Sequence, residues 1–192
     1  LRRAGAHGNR GLVTIMRKPL KPIPARTSQY GINPELVTMR GSDLPGMTSV
    51  SLTDLLPDLP DSIRVTIVVI DRNVDVVGGV TGRADAPGAV TLELSSVFPG
   101  GVMAASETAL ASSVFHEFHH LARGWTIQGN RFGQGIPIAA VNEGLASVFA
   151  EDYTGEYFEA AYAYPDNAAE WLAEIVALPV DADYQTWMMG EH

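Results

Sequence analysis

The chain has no cysteine. This excludes both a disulfide framework and a thiolate metal site, so any metal would have to be held by His, Asp or Glu. Long apolar runs are also missing: stretches such as Val68-Val69-Ile70 fall far short of the roughly 20 residues that span a bilayer. Acids are nearly absent from the first forty positions, where Glu35 stands alone against Arg2, Arg3, Arg10, Arg17, Lys18, Lys21, Arg26 and Arg40. The same segment lacks the apolar core of a secretory signal, and it lacks the aromatic platforms used to bind single-stranded nucleic acid. Everything after it is acidic, with a balance of −16, and repels nucleic acid. The expectation is therefore a protein with no nucleic-acid partner, no membrane segment and a cytoplasmic location. Nothing in the sequence specifies an oligomeric state.

What is present suits one domain. Of the 192 residues, 46% are hydrophobic, enough to bury a core. The basic composition of residues 1–40 predicts a disordered tail, and Pro19, Pro22 and Pro24 extend the chain towards a folded domain over 41–192. A first helical pattern runs from Thr48 to Leu56. Residues 62–71, Ser-Ile-Arg-Val-Thr-Ile-Val-Val-Ile-Asp, are β-branched and nearly continuous, as in a strand buried on both faces. A second strand alternates over 89–95. Between them, a glycine-loosened strand ends in Asp85-Ala86-Pro87-Gly88, a turn that folds the chain back as a hairpin. From Ala104 the pattern becomes helical, with a stop at Gly124. Further helices are expected over 138–152, from Pro165 to before Pro179, and over 183–189. Strands come first and helices follow, so the class is α+β.

Three of the five histidines fall within Phe115-His116-Glu117-Phe118-His119-His120. His116 and His120 are four apart, the spacing that lets two imidazoles on one helical face share a metal ion. At 100° per residue from Leu110, the large apolar residues Leu110, Val114, Phe115, Phe118 and Leu121 span about 0° to 140°, whereas His116 and His120 lie near 240° and 280°. The pair is therefore not part of the core stripe and belongs to a solvated face or a cleft. His119 points elsewhere and is expected to be structural. A third ligand is available in the next helix. There Glu143 shares its face with Ala139, Ala146, Ser147 and Ala150, while Val141, Leu145, Val148 and Phe149 lie opposite. One long carboxylate among small residues fits a helix packed closely against another.

With Asn142-Glu143-Gly144-Leu145-Ala146, these residues resemble the gluzincin metallopeptidases, whose third ligand is a Glu on the helix after His-Glu-x-x-His. Overall the chain is most similar to small, poorly characterised bacterial families of predicted zinc-dependent proteases, over roughly residues 60–190. The Gly-x-Met-Glu-Asn strand of the aminopeptidases is missing, which argues against exopeptidase action. The resemblance implies a zincin-like domain: a small twisted sheet over the active helix, followed by further helices, with one strand edge lining the cleft. It implies a zinc endopeptidase acting on a peptide or protein substrate, with Zn2+ on His116, His120 and Glu143 and with Glu117 as general base towards a zinc-activated water. Asn142, Ser147 and Glu151 are the candidates for orienting the ligand imidazoles. Gly79, Val80 and Thr81 are the candidates for binding substrate backbone. The alternative is a zinc-binding domain that recognises peptides with little or no turnover. No Tyr or His after Glu143 stands in a recognisable setting for stabilising an oxyanion. Because the chain also begins at Leu1 and stops after Gly190-Glu191-His192, the expectation is a domain truncated at its C-terminus.

Overall fold

The computed structural model describes residues 50–158 and 166–189, together with short strand backbones in the segment before them. Those strands are β1 (Leu12–Thr14), β2 (Lys18–Pro19), β3 (Ser28–Ile32) and β4 (Thr38–Arg40). The disordered tail expected over residues 1–40 falls mostly on residues outside those described. β5 (Val50–Ser51) leads directly into a single helical turn, α1 (Leu52–Leu55). The expected helix from Thr48 is thus much shorter, and its start lies outside the described residues.

The molecule is mixed α and β. β6 (Ile63–Ile70), β7 (Val80–Ala86) and β8 (Ala89–Ser95) form its principal sheet. β8 lies between the other two, parallel to β6 and antiparallel to β7. Beyond β6 the sheet continues through β3 and then β2, while β1, β4 and β5 pair separately. The Pro87-Gly88 turn makes β7 and β8 a hairpin, and β7 is left as the outer strand. Ile63, Val65, Val90 and Leu92 are almost fully buried, but on the opposite face of β6 Arg64 is exposed and Thr66, Val68 and Ile70 are only half-buried. β6 therefore buries one face rather than the two that its continuous apolar run predicted.

Helix α2 (Gly101–Arg123) packs its Val114, Phe115, Phe118 and Leu121 into the core formed with this sheet. Gly124 ends it in the left-handed conformation at φ 70°, which costs a glycine nothing because no Cβ meets the backbone. α3 (Ile136–Thr154) crosses α2 with the small face inward: Ala139, Ala146 and Ala150 are at most 2% exposed. Val141, Leu145 and Val148 face outward, 58%, 43% and 53% exposed. α4 (Ala168–Ala177) and α5 (Tyr184–Met189) follow and contact α3. Among the described residues, no helix is long and apolar enough to cross a membrane.

Candidate metal centre

Because α3 turns alanines towards α2, the two helices approach closely and Glu143 can reach across the seam. Glu143 Oε2 lies 3.1 Å from His116 Nε2 and 3.2 Å from His120 Nε2, and the two imidazole nitrogens are 3.0 Å apart. A tetrahedral ion with bonds of about 2.0–2.1 Å sets its ligand atoms about 3.3–3.4 Å apart. The observed triangle is within a few tenths of an ångström of that edge, and its three donors could hold a metal ion. The imidazole planes stand at 87° to each other, so both can aim Nε2 at one point. His120 is only 3% exposed, which places the pair in a covered cleft rather than on a solvated face.

The electrostatics suit cation binding. Burial alone would raise the Glu143 carboxyl, but its contacts with His116 and His120 outweigh that and hold it well below the usual carboxylate range. Burial pulls His120 down. His116 feels the same pull, yet its contact with Glu143 and the charges of Glu117 and Glu143 leave it above the ordinary histidine value. Glu117 is not one of the three ligands. It is 4% exposed, between α2 and β7, with Oε2 unpartnered. Burial pushes its carboxyl up to about 8, with Glu143 and Asp85 adding to the rise while His116 and the Ala84 backbone oppose it. A carboxyl poised near neutrality, beside a cation site and in a cleft, can take up and return a proton.

His119 turns away as expected. Its ring lies 5.2 Å from that of Phe149, and burial lowers it to about 4, so it stays neutral.

The residues expected to orient the imidazoles are placed on other tasks. Asn142 Oδ1 accepts from Arg123 Nε at 3.0 Å, and its amide donates to the Ile138 carbonyl, which ties the end of α2 to α3. Ser147 donates to the Glu143 carbonyl one turn back, and Glu151 is exposed on the cleft wall. Arg131 satisfies the last two carbonyls of α2, donating to those of Arg123 and Ala122.

One group that the sequence did not reveal is Trp125. Its backbone N–H donates to the His120 carbonyl across the Gly124 turn, and its indole Nε1–H donates to Glu143 Oε1 at 3.1 Å. Glu143 thereby offers one oxygen to the histidines while Trp125 holds the other. No periodicity extends past a helix-ending glycine, so the sequence carries no cue to where this indole points. Trp125→Phe keeps the ring and deletes the donor; metal affinity should fall about 10–100-fold, as on removal of other groups that orient a ligand. Competition against a chelating indicator measures this, and an unchanged Kd would reduce Trp125 to packing.

The triad opens onto a cleft of about 1360 Å³ walled by β7, α2, α3 and the α4–α5 region. Val80 and Thr81 line it. Gly79 does not: it is buried behind, its N–H donating to the Val74 carbonyl and its own carbonyl accepting from Ser95. Farther along β7, the Ala84 and Asp85 carbonyls accept from the backbone N–H groups of Ile127 and Gln128. The Val80 carbonyl accepts from the Ser113 hydroxyl at 3.4 Å, so among the described residues the open part of this edge is Thr81–Arg83. Tyr184, from α5, also lines the cleft, and burial followed by the charge of Glu143 raises its hydroxyl above the ordinary tyrosine value. No tyrosine after Glu143 has a recognisable setting in the sequence; in the structure both Tyr157 and Tyr184 line the cleft. Comparison with protein-family models, with curated proteins and with solved structures gives no match, so the centre is defined by its own residues alone.

Proposed function

We propose that this protein is a zinc-dependent endopeptidase with a zincin-like domain. The observation that carries the reading is the convergence, in one cleft, of the His116–His120–Glu143 triad, the buried Glu117 and an open strand edge. Two imidazoles and a carboxylate are the donor set of catalytic zinc, which when bound supplies a Lewis acid and lowers the pKa of water towards about 7. An extended peptide adds to the open edge of β7 by main-chain hydrogen bonds, which fixes its scissile amide against the triad. Glu117 takes the proton from the attacking water and returns it to the departing amide nitrogen, so one carboxyl serves both halves of the reaction. Tyr184, whose hydroxyl feels the charge of Glu143, is a candidate to donate to the developing oxyanion, a contribution of about 2.7–4 kcal/mol where such donors have been removed.

The test is elemental analysis of protein purified without a His tag, beside cleavage of a peptide library with and without chelator. The expected result is one zinc per chain and internal cleavages that stop with chelator and return when zinc is restored. Stoichiometric zinc without any cleavage would overturn the peptidase reading; absence of bound metal would overturn the centre itself.

A further inference from the structure

Positions 80, 82 and 84 of β7 face α2. Val80 and Ala84 fill that face with buried side chains, 1% and 4% exposed, and Gly82 between them leaves it empty. Glu117 rises into this gap. A Cβ added at Gly82 would lie 2.6 Å from Glu117 Cγ, 2.8 Å from Oε1 and 2.9 Å from Cδ. These separations are well inside the 3.5–4.0 Å at which carbon atoms make their best contact.

Gly82 is not needed here for an unusual backbone. It pairs in register with Leu92 in an ordinary strand, and its φ is not in the left-handed region that favours glycine. What sets position 82 apart is the space beside it. That space is bounded by carboxyl atoms with few alternatives, because Glu117 is flanked on α2 by buried Val114, Phe118 and Leu121 and roofed by the sheet. The charged and titratable groups acting on it are His116, Glu143 and Asp85.

We infer that Gly82 is a positioning residue: the absence of a side chain there sets how far the Glu117 carboxyl stands from the cleft edge where substrate lies. This rests on the peptidase reading for its consequence in catalysis, but not for the coupling between residues 82 and 117. With Ala at 82, the carboxyl must move by roughly an ångström to restore van der Waals contact, and displacement of a catalytic group on that scale costs about 10²-fold in rate. The three atoms nearest the new methyl all belong to Glu117 and none to the ligands His116, His120 or Glu143.

The experiment is a cycle over Gly82→Ala, Glu117→Ala and the double variant, made in the full chain and loaded with zinc, with peptide turnover of Gly82→Ala measured beside it. Gly82→Ala should keep one zinc per chain, lower kcat about 10²-fold and leave KM within a few-fold. It should also lower Tm in the wild-type background, whereas in the Glu117→Ala background, where the side chain in the way is gone, the same substitution should cost little or nothing. An equal Tm loss in both backgrounds, an unchanged kcat, or loss of zinc from Gly82→Ala would each overturn the inference. If the single variant does not fold, recovery of a folded, zinc-bound protein in the double variant supports it and continued failure to fold overturns it. If wild-type protein cleaves no peptide at all, the peptidase reading fails while the Tm cycle still decides whether residues 82 and 117 are coupled.

Discussion

Glu117→Gln protein should retain one zinc per chain and lose about 10²–10⁴-fold of peptide turnover. The substitution preserves shape, so the side chain still fits the gap left by Gly82 and the surrounding packing is undisturbed. Nor does it touch the triad, whose three donor atoms come from His116, His120 and Glu143. What it removes is the capacity to hold a proton. A carboxylate can take up a proton and return it, whereas an amide cannot. Folded-state stability should change little, since one carboxyl oxygen already lacks a partner. Steady-state kinetics on a peptide identified from the library, with zinc quantified on the same sample, separates this from loss of metal. Undiminished turnover would remove Glu117 from the mechanism.

His120→Ala should abolish stoichiometric zinc. The ring is 3% exposed and its Nε2 lies 3.0 and 3.2 Å from the other two donors, so truncation leaves the centre with two ligands and a cavity in place of the third. His119→Ala is the matching control. It removes an imidazole from the same motif, but from the side of α2 that faces Phe149, and the metal should stay. Elemental analysis of the two variants side by side reads both results. Full zinc retention in His120→Ala would mean that the ion, if bound, is held elsewhere.

The helices and the hairpin were legible because their periods are strong and their ends are marked. Gly124 stops α2, Pro87-Gly88 turns β7 into β8, and both fall where the sequence puts them. Glu143 was legible for a subtler reason: it is the one long polar side chain on a face of alanines, and that face is the one buried against α2. β6 was misread in part because a continuous Val/Ile run satisfies one buried face as readily as two, and composition alone does not show what covers the second. Trp125 and Gly82 were invisible, and nothing singled out Tyr184 among the tyrosines after Glu143, for a common reason. Each acquires its place by approach through space, past a chain reversal or from another element, and no spacing along the sequence records such a meeting.

The two hydrogen bonds from Ile127 and Gln128 to the end of β7 also limit how far another strand could pair with that edge. An outer strand with a bare ladder of N–H and C=O groups is a template for any extended chain, including a second molecule of the same protein. Here the ladder is closed at Ala84 and Asp85, and the open stretch ends in Arg83, which is held by Asp85 and Glu93 at 2.7 Å each. A guest strand can therefore pair over only a few residues before meeting the loop, and a short edge is one of the devices that blunt strand addition. An edge closed in this way offers little template for strand-on-strand association.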